Sequence, residues 1–82
     1  MIAPKVHLNG SSRETLREGY RDAADAVLRA REALRDTRPN ARDYYPQGDA
    51  AYTKAVAEHM SRCHRIQSVL DELRALCDAV EE

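Results

Sequence analysis

From Tyr52 to Val80, side chains that pack well in a core recur at steps of four and three residues without a break. They are Tyr52, Val56, His59, Cys63, Ile66, Leu70, Leu73, Cys77 and Val80. Only an α-helix, with about 3.6 residues per turn, aligns such positions on one stripe, and strict 4-3 alternation is the seam of one helix packed on another. Asp49 is placed to cap this helix, and the pattern runs to Val80. Val69 and Leu76 widen the stripe in its C-terminal half. A stripe wider than one partner helix covers implies a second partner.

The first half of the chain carries a matching pattern. Leu16, Tyr20, Ala23, Val27, Ala30 and Leu34 are spaced 4-3-4-3-4. Ser11-Ser12-Arg13-Glu14 precedes them and matches a capping box, in which Ser11 accepts from the Glu14 amide and Glu14 reaches back. Pro39 disfavours helical geometry at Arg38, so the helix is expected to end near Thr37. The expected order is an arm over 1–10, a helix over 11–37, a loop over 38–48 and a helix over 49–80. Gly19 lies inside the first helix, where glycine costs ~1 kcal/mol relative to alanine. With Ala23, Ala26 and Ala30 it draws a row of small residues that suits close approach of another helix. The fold class implied is all-α: an antiparallel helical hairpin with a short extended arm, one domain over 1–82.

Composition says how such a hairpin must survive. Of 82 residues, 43% are hydrophobic, yet Trp and Phe are missing and much of that fraction is alanine. Alanine removes little area from water, so a yield of ~25 cal/mol per Å² has little to act on. Assembly into a homo-oligomeric bundle is the natural remedy. Basic and acidic residues number 13 and 14, a formal net charge of −1, which disfavours a general nucleic-acid-binding surface. No run approaches the ~20 apolar residues of a membrane span, and no signal peptide is read at the start. Cys63 and Cys77, fourteen residues apart on one helix, lie ~21 Å apart, out of disulfide reach. Free thiols point to a reducing, cytoplasmic setting.

Few residues suggest chemistry. His59, Cys63 and His64 carry zinc-type donors, but a structural site takes four ligands and both His59 and Cys63 fall on the seam. A packed core pair is the preferred reading, and no metal or cofactor is expected. Either thiol would need an activating base, an oxyanion hole and a cleft to act as a nucleophile. Asp22 with Asp25 and Glu81 with Glu82 read as solvated helix charges. The chain is therefore expected not to be an enzyme.

Two polar clusters are better candidates for binding. The connection holds Arg38, Asn40, Arg42, Asp43, Tyr44, Tyr45 and Gln47 within ten residues. Arginine forks a phosphate or carboxylate, and a tyrosine ring stacks on a base for ~1–3 kcal/mol. Asp43 can accept from ribose hydroxyls. The competing reading has Tyr44 or Tyr45 plugging the end of the core while Arg42 and Asp43 pair locally. The second cluster is the arm and first turn: His7, Asn9, Gly10, Ser11 and Arg13, with Lys5 and Ser12 beside them, where free amides at a helix start favour an anion. Its competitor is simple capping. A first helix of ~26 residues separates the clusters by ~39 Å, so one pocket requires two chains packed arm to loop.

The segments His7-Leu8-Asn9-Gly10-Ser11-Ser12 and Pro39-Asn40-Ala41-Arg42-Asp43-Tyr44-Tyr45-Pro46-Gln47-Gly48, joined by an alanine-rich helix, resemble a group of short uncharacterised helical proteins of phages and prophages. By size and build alone the chain is also similar to the anti-CBASS and anti-Thoeris sponges, although it lacks the sequence motifs of the better-known sponge families. The sponge likeness implies non-enzymatic sequestration of a nucleotide-derived immune signal in pockets between subunits, in a bacterial host cytoplasm. The alternative expectation is a protein-interaction module that inhibits a host or phage protein through the apolar stripe of the second helix.

Overall fold

The computed structural model describes residues 1–81. All the regular structure across them is helical: α1 spans Arg13–Arg35, a short 3-10 helix spans Ala41–Gln47, and α2 spans Asp49–Glu81. No strand occurs among the described residues, and no helix is long and apolar enough to cross a membrane. The arm has no regular structure beyond a turn at its end, where the Gly10 N–H donates to the His7 carbonyl.

The cap of α1 lies one residue later than expected, and its first helical residue, Arg13, two residues later. Ser12, not Ser11, is the N-cap: in extended geometry, its Oγ accepts from the Thr15 N–H at 3.1 Å. The same hydroxyl donates to Thr15 Oγ1 at 2.9 Å. Glu14 does not reach back, because the Arg17 guanidinium holds both its oxygens, at 2.7 and 2.8 Å. A charge-assisted pair, here from the one nitrogen Nη2 to both oxygens, outcompetes a neutral amide for that carboxylate.

The end of α1 also comes earlier, at Arg35 rather than Thr37. The N–H groups of Asp36, Thr37 and Arg38 donate to Ala33, Leu34 and Arg35, so the last turn tightens to three-residue bonds. The Thr37 hydroxyl also donates to the Leu34 carbonyl at 2.7 Å. The connection, expected to be irregular, is instead mostly helical. Asn40 Oδ1 accepts from the Arg42 N–H at 3.1 Å and opens the 3-10 helix. Gly48 closes it by donating to the Tyr44 carbonyl, at a φ of 92° that an L side chain resists. Asp49 is therefore the first residue of α2, not its cap.

The two long helices lie side by side and run in opposite directions. Cys77, near the end of α2, lies against the Arg17 carbonyl near the start of α1. Arg17 and Arg21 both approach Glu81, and further along Arg31 donates to Gln67. Every expected seam residue of α2 is buried or half-buried, with Leu70 at 0% exposure. On α1 the seam needs correction, because Ala30 is exposed and Arg31 is half-buried. The facing positions are Arg17, Tyr20, Ala24, Val27, Arg31 and Leu34. Leu16 and Ala23 lie on the edge of that face. An arginine was passed over because its charge hides a stem of methylenes that packs like a hydrophobe.

Candidate functional site

The facing positions divide the molecule into two unlike flanks. Arg17, Ala24 and Arg31 on α1, with Cys63, Leu70 and Cys77 on α2, occupy the heptad's a positions. The residues following the d positions include Arg21 on α1 and Gln67 and Glu81 on α2. This flank is polar: Arg21 approaches Glu81 at 3.8 Å, and Gln67 accepts from Arg31 and donates to Asp71 at 2.9 Å. The opposite flank, preceding the a positions, carries Leu16, Ala23 and Ala30 beside Val69 and Leu76. Val69 is 47% exposed there. One side of the helix pair carries the polar bonds between helices, with Leu28 and Met60 among them, and the other is apolar apart from the exposed Arg62.

The 3-10 helix sorts the two adjacent tyrosines. Tyr44 turns inward and packs on Tyr52, ring centroids 6.1 Å apart and tilted by 52°. Tyr45 turns outward and is 75% exposed. Arg42, Asp43 and Gln47 are exposed beside it. None of these charges enters an ion pair among the described residues. Asn40 is committed to its cap. The sequence left plug and ligand platform as rival readings of one tyrosine pair; Tyr44 packs on Tyr52 and Tyr45 is exposed.

The arm cluster lies at the other end. Pro4, Lys5 and Val6 fold back over the end of α2 and, with Arg13, Ala79 and Val80, line an open cleft of about 210 Å³. Two cations border a partly apolar floor. His7 does not join them: its ring lies over Gly10, where an added Cβ would come within 2.7 Å of Nε2. Ser11, Asn9 and Gly10 are exposed, and Ser12 is used as the cap. Sequence reasoning missed Ala79 and Val80 as neighbours of the arm, because only the return of α2 along α1 brings them there.

Within one chain the arm and loop clusters stand at opposite ends of a molecule 61 Å long and 20 by 17 Å across. The middle of the pair holds a different polar group. His59 is buried at 4% exposure, with Nε2 3.5 Å from Cys63 Sγ. Among the described residues its Nδ1 has no hydrogen-bond partner, and neither does Arg31 Nε. His64 lies exposed. No group of three or more His, Cys, Asp or Glu side chains converges among the described residues. Both cysteines are free and half-buried.

Comparison of the chain with protein families, curated proteins and solved structures returns no match.

Proposed function

We propose that this chain is a non-enzymatic binding protein that assembles from helical hairpins and captures an anionic, ring-bearing small molecule of nucleotide type at the ends where copies meet. The observation that carries this reading is the 3-10 helix, on which Arg42 and Tyr45, three residues apart and so on one face, are both exposed. A stacking face, a forked cation and the acceptor Asp43 are the three contacts that ring, phosphate and ribose each require. Lys5 and Arg13 at the arm cleft supply the opposing positive charge. Such binding needs no turnover, and capture alone removes a signal from circulation. That role agrees with the likeness to small phage proteins and to sponges that silence a host defence.

Titration of the purified protein with cyclic di- and trinucleotides and ADP-ribose cyclic isomers tests the reading. Binding that is lost in Tyr45→Ala and Arg42→Ala, with intact ligand recovered after denaturation, supports it. A panel with no binder refutes it.

A second reading is favoured by the open flank. Val69 is 47% exposed, and an amphipathic helix of another protein would dock along Ile66, Val69, Leu73 and Leu76. Under that reading, charge at Val69 abolishes partner binding while Tyr45→Ala does not affect it.

A further inference from the structure

We propose that the open apolar flank is covered by a second copy of this chain, packed antiparallel about a twofold axis passing between Ala23 and Ala26 on α1 and beside Val69 on α2. This pairing deepens the proposed function by supplying the other half of each pocket, and rests on that function only for the identity of the ligand.

The first argument is area. The chain exposes 6209 Å². A compact protein of 9.3 kDa exposes ~5,000 Å² by the surface–mass scaling of folded monomers. The surplus is about 1,200 Å² per chain, so two chains pairing to remove it would bury ~2,400 Å², the range of obligate homodimers. Two helices side by side make a single layer, and a single layer has no inside.

The second argument is self-complementarity. On α1 the positions Leu16, Gly19, Ala23, Ala26, Ala30 and Ala33 follow 3-4-3-4-3 spacing, a stripe that reads the same in both directions. Reversed on itself about its midpoint, it brings Gly19 to Ala30 and Ala23 to Ala26. Gly19 is not needed by the chain's own packing, since a Cβ there would meet nothing within 4 Å among the described residues. A mid-helix glycine that costs ~1 kcal/mol and serves no internal contact is explained by a backbone approaching from outside.

The third argument joins the two helices. With Cys77 beside Arg17 and Arg31 reaching Gln67, the midpoint of the α1 stripe falls level with the turn of α2 from Val69 to Leu73. The same axis therefore serves both helices. Arg65 and Glu72 lie about one turn before and after Val69, both exposed and in no ion pair among the described residues. Among the described residues Arg65 reaches only the Ser61 carbonyl, at 3.4 Å. An antiparallel crossing at Val69 sets each Arg65 against the partner's Glu72, twice over. The same register puts Arg13 level with the far end of the partner's α1. The Lys5–Arg13 cleft of one copy then adjoins the Tyr45 platform of the other, and the clusters that a single chain separates become two composite pockets.

Sedimentation equilibrium on the full chain, over a wide concentration range, tests the pairing. The expected particle is a dimer, or an even multiple, of the 9.3 kDa chain. Arg65→Glu and Glu72→Arg should each raise the dissociation constant at least about tenfold by turning two ion pairs into two repulsions, and the double exchange should restore it. Ala26→Glu, at an exposed site that leaves the chain's own seam untouched, should prevent pairing. A 9.3 kDa particle at every concentration overturns the proposal. So does a dimer indifferent to these charges. A dimer that obeys the exchange but binds no nucleotide removes the proposed function and leaves the pairing standing; nucleotide binding by a lone chain does the reverse.

Discussion

Gly19→Ala is the substitution whose outcome depends most directly on which surfaces are free. A Cβ at Gly19 meets no atom of the described residues within 4 Å, so the lone molecule gives up no contact and takes on no clash. What remains is backbone entropy, worth ~0.5–1 kcal/mol in favour of alanine at a helix interior. For a domain of this size 1 kcal/mol moves the melting temperature by roughly 4–8 °C. Thermal unfolding followed by far-ultraviolet circular dichroism should therefore show a rise of a few degrees in dilute solution. Gly19→Leu sharpens the measurement, because leucine is nearly as good a helix former as alanine. It should stabilise the dilute chain to a similar extent, yet lose that gain at concentrations where the wild type pairs, since a large side chain wedges the stripes apart. Loss of stability in Gly19→Ala at the lowest concentrations would show that the space is filled from within, and the reasoning would fail.

Other expectations follow from single contacts. Leu70→Ala, at the most buried side chain, should cost ~2–5 kcal/mol in denaturant titration, and a cost under ~1 kcal/mol would mean that the seam is not where the chain is held. Ser12→Ala should cost ~1 kcal/mol while Ser11→Ala stays within ~0.5 kcal/mol, and equal effects would restore Ser11 as a cap. Hydrogen bonding from the Arg17 guanidinium, then its charge, holds the Glu14 carboxyl below its ordinary range. A carboxyl with a lowered folded pKa contributes stability above its unfolded pKa and loses it as pH falls through the folded value. Glu14→Gln should accordingly flatten the acid limb of a stability–pH curve, and an unchanged limb would count against the pair. Tyr44→Ala should lower the melting temperature through its lost packing on Tyr52, whereas Tyr45→Ala should leave stability intact and remove ligand binding.

The long-range pattern was readable because heptad spacing needs no knowledge of the partner. Each α2 position from Tyr52 to Val80 that the spacing singled out is buried or half-buried. Local competition was harder to read. Ser11 and Ser12 offer the same hydroxyl one residue apart; only Ser12 accepts from the first turn, and Glu14 pairs with Arg17 instead of reaching back. The 3-10 helix was missed because its signals, an asparagine, two prolines and a glycine, are also those of an irregular loop. Ala30 and Arg31 exchanged roles because hydropathy ranks alanine above arginine at a face, while packing rewards the longer stem.

By itself the sequence determined that two long helices form and which stripe of α2 turns inward, since periodicity acts through bonds and rotations local to each helix. It also held both candidate clusters in plain view. Only tertiary structure decided which flank is polar and which stays apolar. That depends on the register of one helix against the other, on Arg21 meeting Glu81 and Arg31 meeting Gln67 across long stretches of chain. It likewise decided which tyrosine faces the solvent, because a 3-10 helix turns adjacent side chains about 120° apart and only contact with Tyr52 selects the one that goes in.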